Sequence, residues 1–230
     1  MHVKFLGTGG VFDYEYGNSA AVVRHNGRTI LIDCGPSVYG TLCSHGLIEE
    51  IDYIVLTHLH GDHVGSLFSL LIHLSSRCKP SRKAVLLYPT DQFRQLVESF
   101  LKHWFPDVSA YIHFKPMSTV EGVGFIETTG KHIAGILSFA YYFTEGADLI
   151  YYSGDLGDVE VTADFLRSRH ETQITVFHEL HYNRGKAHTF YRDVMESLQG
   201  YSVYGYHVDP TKVPADNTVP LVARTPELLL

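Results

Sequence analysis

Thr57-His58-Leu59-His60-Gly61-Asp62-His63 is the stretch of this chain that decides its fold, because it places four metal-binding side chains in one short turn. It contains the pattern His-x-His-x-Asp-His. The preceding run, Ile51–Leu56, is short, apolar and rich in β-branched residues, which predicts a buried strand. Apolar side chains then recur at helical spacing from Val64 to Leu74, which predicts one helix. The motif therefore lies between a buried strand and a helix.

The spacing within this turn suits two neighbouring metal ions. In an extended chain, residues two apart face the same way, so His58 and His60 can reach one ion. Gly61 allows the tight turn, and Asp62 and His63 then open the helix and face a second ion. Imidazole and carboxylate groups suit zinc or manganese. Two such ions side by side can generate a hydroxide and hold a displaced group.

This motif resembles that of the metallo-β-lactamase superfamily, and the start of the chain is similar to the RNase Z branch of that superfamily. The similar segments are Val3–Gly10, Asn18–Ala20 and Ile30–Gly35, and the resemblance extends to about His207. It implies an α/β (α+β) protein with a four-layer αββα sandwich in a single domain. We accordingly predict a hydrolase domain at 1–208 and a C-terminal tail at 209–230, for which a dimer arm and a loose end both remain open.

Composition and charge agree with a single-domain globular enzyme. Apolar residues make up 45% of the 230 residues, enough for a sizeable core. No apolar run reaches transmembrane length and no signal-peptide pattern is present, so we expect no membrane partner. Three cysteines without metal-type spacing favour a reduced, cytoplasmic setting. The net charge of −7 argues against a grip on long RNA, and the basic cluster Arg77–Lys83 is predicted to be a solvated loop.

The resemblance also implies the remaining metal ligands and the ions that they hold. His132 follows a predicted strand, Asp155 ends an apolar strand, and His207 ends the last predicted strand, Ser202–Tyr206. We predict that two divalent ions are bound, zinc in the first place and manganese as the alternative. The first ion is assigned to His58, His60, His132 and Asp155. The second ion is assigned to Asp62, His63, Asp155 and His207.

Two later motifs resemble the acid machinery of RNase Z enzymes. His178-Glu179-Leu180 is similar to their His-Glu-Ala motif, and Ala187-His188-Thr189 to their Gly-His-Ser/Thr motif. The resemblance implies that His188 is a general acid oriented by Glu179, and that Asp62 holds its metal and helps to orient the nucleophile. The open alternative is that His188 caps a helix and Glu179 is a surface charge. Three polar residues between the motifs, His181, Asn183 and Arg184, are candidates for contact with a phosphate.

The resemblance favours hydrolysis of a phosphodiester, for which two substrates compete, and a hydrolase reaction of another class is a third alternative. The first is a small 3′,5′-cyclic nucleotide such as cyclic CMP or cyclic UMP, cleaved to the nucleoside monophosphate as by anti-Pycsar phosphodiesterases. The chain is compact and acidic, and we see no inserted arm for binding RNA. These features favour hydrolysis of a cyclic nucleotide. The second is tRNA 3′-end processing, with RNA as the partner. The third is a lactonase or thioesterase reaction, which does not need the acid pair. A homodimer is expected from the resemblance.

Overall fold

The structure of the protein is a computed structural model that describes residues 1–78 and 81–230. Lys79 and Pro80, within the predicted basic loop Arg77–Lys83, lie outside the described residues. The strands are β1 (His2–Gly7), β2 (Ala20–His25), β3 (Arg28–Ile32), β4 (Tyr53–Val55), β5 (Ala84–Tyr88), β6 (Ile112–Pro116), β7 (Val123–Glu127), β8 (Phe139–Glu145), β9 (Asp148–Tyr152), β10 (Gln173–Glu179) and β11 (Ser202–Tyr206). The helices are α1 (Val38–Ser44), α2 (Gly61–Val64), α3 (Leu67–Ser76), α4 (Asp91–Leu101), α5 (Glu160–Arg167) and α6 (Tyr191–Ser197).

The strands form two sheets, and helices cover the outer faces. The first sheet runs in the order β1-β2-β3-β4-β5-β6, and the second in the order β11-β10-β9-β8-β7. A core between the sheets contains Phe5, Tyr152, Phe177 and Tyr206. A second core packs α5 and α6 onto the outer face of the second sheet. This arrangement confirms the predicted α/β class with four αββα layers. Among the described residues, no helix is long and apolar enough to cross a membrane.

The helix predicted after the metal motif is wrong as one continuous element, because the structure divides it into α2 and α3 at Gly65 and Ser66. The backbone groups at the break pair with another segment. The carbonyl of His63 accepts from the N–H of Cys34 over 2.7 Å, and the N–H of Ser66 donates to the carbonyl of Cys34 over 3.0 Å. These long-range bonds replace two bonds of a continuous helix.

Three further elements differ from the prediction. Helix α1 and strand β6 were not predicted, and β8 begins at Phe139, although the apolar run suggested a strand from Gly135. Gly135 has a φ of +81°, which lies outside the strand region, so the backbone is not extended at that residue. An Asn-Gly pair between two apolar runs predicts a two-residue hairpin turn, and Asn26 and Gly27 both have positive φ and connect the antiparallel pair β2 and β3.

The C-terminal tail packs along its own chain. Leu221 pairs with Gly205 at the outer edge of β11, and Leu229 pairs with Phe5 at the outer edge of β1. The Lys4 ammonium also donates to the carbonyls of Glu227 and Leu229. The tail therefore covers one free edge of each sheet, and such edges otherwise offer unpaired groups to other chains.

Candidate active site

The predicted metal ligands and the His188–Glu179 pair lie at one edge of the sandwich. Strands β3, β4 and β5 are parallel in the first sheet, and β9, β10 and β11 are parallel in the second. The motif His58–His63 follows β4, Asp155 follows β9, Glu179 ends β10 and His207 follows β11. Because the carboxyl ends of parallel strands meet at one edge, residues that are far apart in sequence converge there.

The first cluster joins three imidazoles and one carboxylate oxygen. His58 Nε2 lies 2.9 Å from His60 Nδ1, and His132 Nε2 lies 3.2 Å from the same atom. Asp155 Oδ2 is 3.8 Å from His58 Nε2 and 3.7 Å from His132 Nε2. His132 Nδ1 donates to the carbonyl of Ala187 over 2.6 Å. His132 Nε2 is therefore left with a lone pair, as a cation requires.

The second cluster joins Asp62, His63 and His207 to the other oxygen of Asp155. His63 Nε2 is 3.5 Å from Asp62 Oδ2 and 3.3 Å from Asp155 Oδ1. His207 Nε2 is 3.5 Å and 3.6 Å from the same two oxygens. Asp155 thus directs one carboxylate oxygen at each cluster. The structure brings together the same two sets of residues that the sequence assigned to the two ions.

Unsatisfied atoms show that these residues fit a divalent metal ion. Three buried side-chain atoms have no hydrogen-bond partner among the described residues and converge on the second cluster, namely His63 Nε2, Asp155 Oδ1 and His207 Nε2. Leaving such a group without a partner costs about 1–3 kcal/mol. A cation held by these nitrogen and oxygen atoms would satisfy all three at once.

Asp33 orients the second cluster and had no role assigned from the sequence. Its Oδ2 accepts from His63 Nδ1 over 2.8 Å, and its two oxygens accept from the N–H and hydroxyl of Thr57, each over 2.8 Å. Asp33 is fully buried, at 0% exposure. Asp33 and His207 are two of the three described non-glycine residues with positive φ, at 63° and 67°. Such backbone strain concentrates at functional sites. The sequence feature that could have identified Asp33 is a carboxylate at the end of a strand that lies beside the metal motif.

We expect Asp33→Asn to lower metal affinity by about 10- to 100-fold, which is the usual effect of removing a carboxylate that orients a ligating histidine. The amide cannot keep both bonds to Thr57 and still accept from His63 as strongly. Competition with a chromophoric chelator measures the affinity. Asp52→Asn, at a half-buried carboxylate paired with Arg28, is the matched control and should leave it unchanged. Wild-type affinity in Asp33→Asn would remove Asp33 from the site.

The pKa values of His58 and His60 in the first cluster are lowered, whereas those of His63 and His207 in the second cluster are raised. Burial lowers the pKa of His58 well below its ordinary value and also lowers the pKa of His60, so both rings are neutral. Burial opposes the charge on His63, but Asp155 and Asp33 outweigh it and raise the pKa well above the ordinary value. Burial likewise opposes the charge on His207, whose pKa is raised by Asp155 and Asp62. Metal binding at the second cluster must therefore displace protons.

Uptake of a divalent metal ion is expected to release protons and to weaken as pH falls. Protons and metal compete for His63 and His207 up to a pH above the ordinary histidine value, so the apparent affinity rises with pH through that range. Calorimetric titration at about pH 7, in two buffers of different ionisation enthalpy, gives the number of protons released. Uptake without proton release would show that these two rings are already neutral.

His188 and the buried Glu179 form a hydrogen-bonded pair beside the second cluster. His188 Nδ1 donates to Glu179 Oε2 over 3.1 Å. Glu179 Oε1 accepts from the N–H groups of Leu156 and Thr189 over 3.2 Å and 2.9 Å. The Glu179 side chain is 0% exposed, which excludes the alternative of a surface charge. Burial lowers the pKa of His188, but the hydrogen bond to Glu179 and its charge raise it to about 9. A histidine whose pKa is raised in this way is suited to hold and donate a proton next to the metal cluster.

A cavity of about 310 Å³ opens beside His188 and His207. Two of the three predicted phosphate contacts, His181 and Asn183, line this cavity. Arg184 is not among the lining residues. Its guanidinium pairs with the Asp193 carboxylate over 2.7 Å and 3.0 Å, so we leave Arg184 out of the site.

Comparison with known proteins agrees with this geometry. The family described as Anti-Pycsar protein Apyc1 matches residues 1–212. An Anti-Pycsar protein Apyc1 from Paenibacillus sp. (strain J14) is 30% identical over 219 residues, which cover 85% of this chain and 83% of that relative. The metallo-β-lactamase fold protein YhfI from Bacillus subtilis is similar in structure, with a TM-score of 0.71, 17% identity, and coverage of 90% and 85%. Human tRNase Z, short form, has a TM-score of 0.64, 20% identity, and coverage of 92% and 94%. The two structures show the fold, and they confirm the predicted metallo-β-lactamase sandwich.

Proposed function

Because the chain belongs to the Anti-Pycsar protein Apyc1 family, we propose that it is a metal-dependent phosphodiesterase that hydrolyses a 3′,5′-cyclic nucleotide to the nucleoside monophosphate. Cyclic CMP and cyclic UMP are the substrates that we propose first. One observation carries the proposal: Asp155 lies within 3.8 Å of His58 and His132 through Oδ2 and within 3.6 Å of His63 and His207 through Oδ1, beside the His188–Glu179 pair. Phosphodiester hydrolysis needs both parts, an electrophilic site and a proton donor.

The two clusters are proposed to hold two divalent ions, with zinc as the native metal. His58, His60, His132 and Asp155 would hold one ion, and Asp62, His63, Asp155 and His207 the other. When bound, two such ions supply an activated water at neutral pH and stabilise charge on the phosphoryl oxygens. Asp62, 11% exposed, is the more open carboxylate of the second cluster and would help to orient the attacking water.

His188 is proposed to protonate the departing ribose oxygen. Hydrolysis forms a bond from the water oxygen to phosphorus and breaks one phosphorus–ribose oxygen bond, and an alkoxide leaves poorly without a proton. Glu179 holds the His188 ring by its Nδ1, so that the other nitrogen is free to donate. The raised pKa keeps His188 protonated at neutral pH, ready for this step.

The substrate is tested by incubating the purified protein with 3′,5′-cyclic nucleotides and, separately, with a 3′-extended pre-tRNA, each with and without a chelator. We expect chelator-sensitive conversion of a cyclic nucleotide, with the pre-tRNA left intact. Trimming of the pre-tRNA alone would favour the tRNA-processing alternative. If neither is converted, the protein is incubated with a lactone and a thioester, and hydrolysis of one of these alone would place the chain with the hydrolases that do not use an acid pair.

We also propose that the protein is a homodimer that acts in the cytoplasm. The dimer is expected from the resemblance to RNase Z-like enzymes. Sedimentation velocity gives the oligomeric state, and a monomer at micromolar concentration would contradict the dimer. The cytoplasmic setting stays a prediction from the cysteine content.

A further inference from the structure

We infer that the cavity beside His188 holds the nucleoside half of the substrate and that Phe12 stacks on its base. This inference rests on the proposed function, because it assumes that a phosphodiester lies at the metal clusters. The lining of the cavity includes His188, His207 and Phe12, so the space is continuous with the proton donor and the second cluster. Its volume of about 310 Å³ lies at the lower limit of small-ligand sites, which suits a single nucleoside.

Phe12 lies in a tight turn that is fixed against the site. The Gly10 N–H donates to Asp13 Oδ2 over 2.9 Å, and the Asp13 N–H donates to the Gly10 carbonyl over 3.3 Å. A Cβ on Gly10 would lie 3.4 Å from Cε1 of His207, so the turn is close to the second cluster. The Phe12 side chain is nevertheless 85% exposed. Because this large apolar ring is exposed to solvent beside an active site, a planar base can stack on its face.

Tyr182 provides a second, independent feature of the same cavity. Its side chain lines the cavity, and its hydroxyl is buried without a hydrogen-bond partner among the described residues. Buried hydroxyl groups normally have a partner, so this one is available to a ligand. A base or ribose of a bound nucleoside carries suitable oxygen and nitrogen atoms.

The charges of the lining favour a single nucleoside over a chain of phosphates. Asp13 and Asp209 contribute two carboxylates, and Lys212 is the amine among the described lining residues. The Lys212 ammonium lies 2.9 Å from Asp209 Oδ2, so it is already paired. A polynucleotide strand would need unpaired cations along its path. The cavity therefore fits the uncharged half of a mononucleotide.

Calorimetry on the metal-loaded protein tests this inference with 5′-CMP and ribose 5-phosphate as paired ligands. The two differ in the base, so their affinity ratio measures what the base contributes. We expect the wild type to bind 5′-CMP about 5- to 100-fold more tightly, which is the usual size of base–aromatic stacking. Phe12→Ala should remove most of this ratio, and Phe12→Trp should retain it. Tyr182→Phe should weaken 5′-CMP binding by about 2- to 10-fold, as expected for one hydrogen bond.

Ile133→Ala is the matched control, because Ile133 is 44% exposed beside His132, at the first cluster. It should leave both affinities unchanged. Equal affinity of the wild type for the two ligands, or a loss of 5′-CMP binding in Ile133→Ala and not in Phe12→Ala, would overturn the inference. A changed sedimentation coefficient in Phe12→Ala with an unchanged affinity ratio would also overturn it, because Phe12 would then contact a second protein. Failure of the proposed function is distinguished separately, as absence of chelator-sensitive hydrolysis of cyclic nucleotides.

Discussion

Replacement of His188 by alanine is expected to lower kcat for cyclic nucleotide hydrolysis by about 10²- to 10⁴-fold, the usual contribution of a general acid. The His188 side chain is 26% exposed and hydrogen-bonded to Glu179, so its removal should leave the fold intact. Neither proposed ligand set includes His188, so metal content should stay at the wild-type level. Steady-state kinetics and elemental analysis on the same preparation measure both quantities. Normal turnover in this variant would remove His188 from the mechanism.

The pH profile separates proton donation from a merely structural role. A general acid must be protonated, so kcat should be present below the pKa of His188 and fall as pH rises through it. Glu179 raises this pKa to about 9, and Glu179→Gln removes the charge responsible. The alkaline limb of the kcat profile should therefore move to lower pH in Glu179→Gln. His170→Ala, at an exposed histidine away from the site, is the matched control and should keep the wild-type profile.

Asp155→Asn is expected to empty both metal clusters and to reduce activity to background. Asp155 directs Oδ2 at His58 and His132, and Oδ1 at His63 and His207. An asparagine side chain carries no charge and has a single oxygen. One cluster therefore loses its ligand from residue 155, and the other keeps an oxygen that no longer carries charge. Since loss of a group that only orients a ligand costs about 10- to 100-fold, loss of a shared ligand should cost at least 100-fold in affinity. Metal content per chain and chelator competition measure this effect.

Comparison with a one-cluster variant shows whether Asp155 is shared. His60→Ala removes a member of the first cluster alone, so it should lose activity together with metal from that cluster and keep part of the metal content. Asp158→Asn, at an exposed carboxylate paired with Lys131, should retain both metal and activity. Equal, partial metal loss in Asp155→Asn and His60→Ala would falsify the bridging role. Circular dichroism and Tm confirm that each variant is folded.

Much of the fold was predictable because its signals are local. The apolar run before His58 and the Asn26-Gly27 turn each depend on neighbouring residues, and both elements are present. Errors occurred where distant segments decide the conformation. The helix after the metal motif is divided because the backbone of Cys34 forms hydrogen bonds with the backbone of His63 and Ser66. No sequence pattern near residue 65 predicts these hydrogen bonds.

The spacing of His58, His60, Asp62 and His63 predicted four of the proposed metal ligands, and the resemblance to RNase Z-like enzymes supplied the others. The sequence by itself thus determined the superfamily, and it predicted the kind of metal site and the acid pair. Only the tertiary structure decided that Asp33 holds His63, that Glu179 is buried, that Arg184 pairs away from the cavity, and that the tail covers two sheet edges. Each of these depends on strands that pair or pack across long separations in sequence. The physical reason is that a side chain's partners are set by the register and layering of the sheets, which local sequence patterns do not encode.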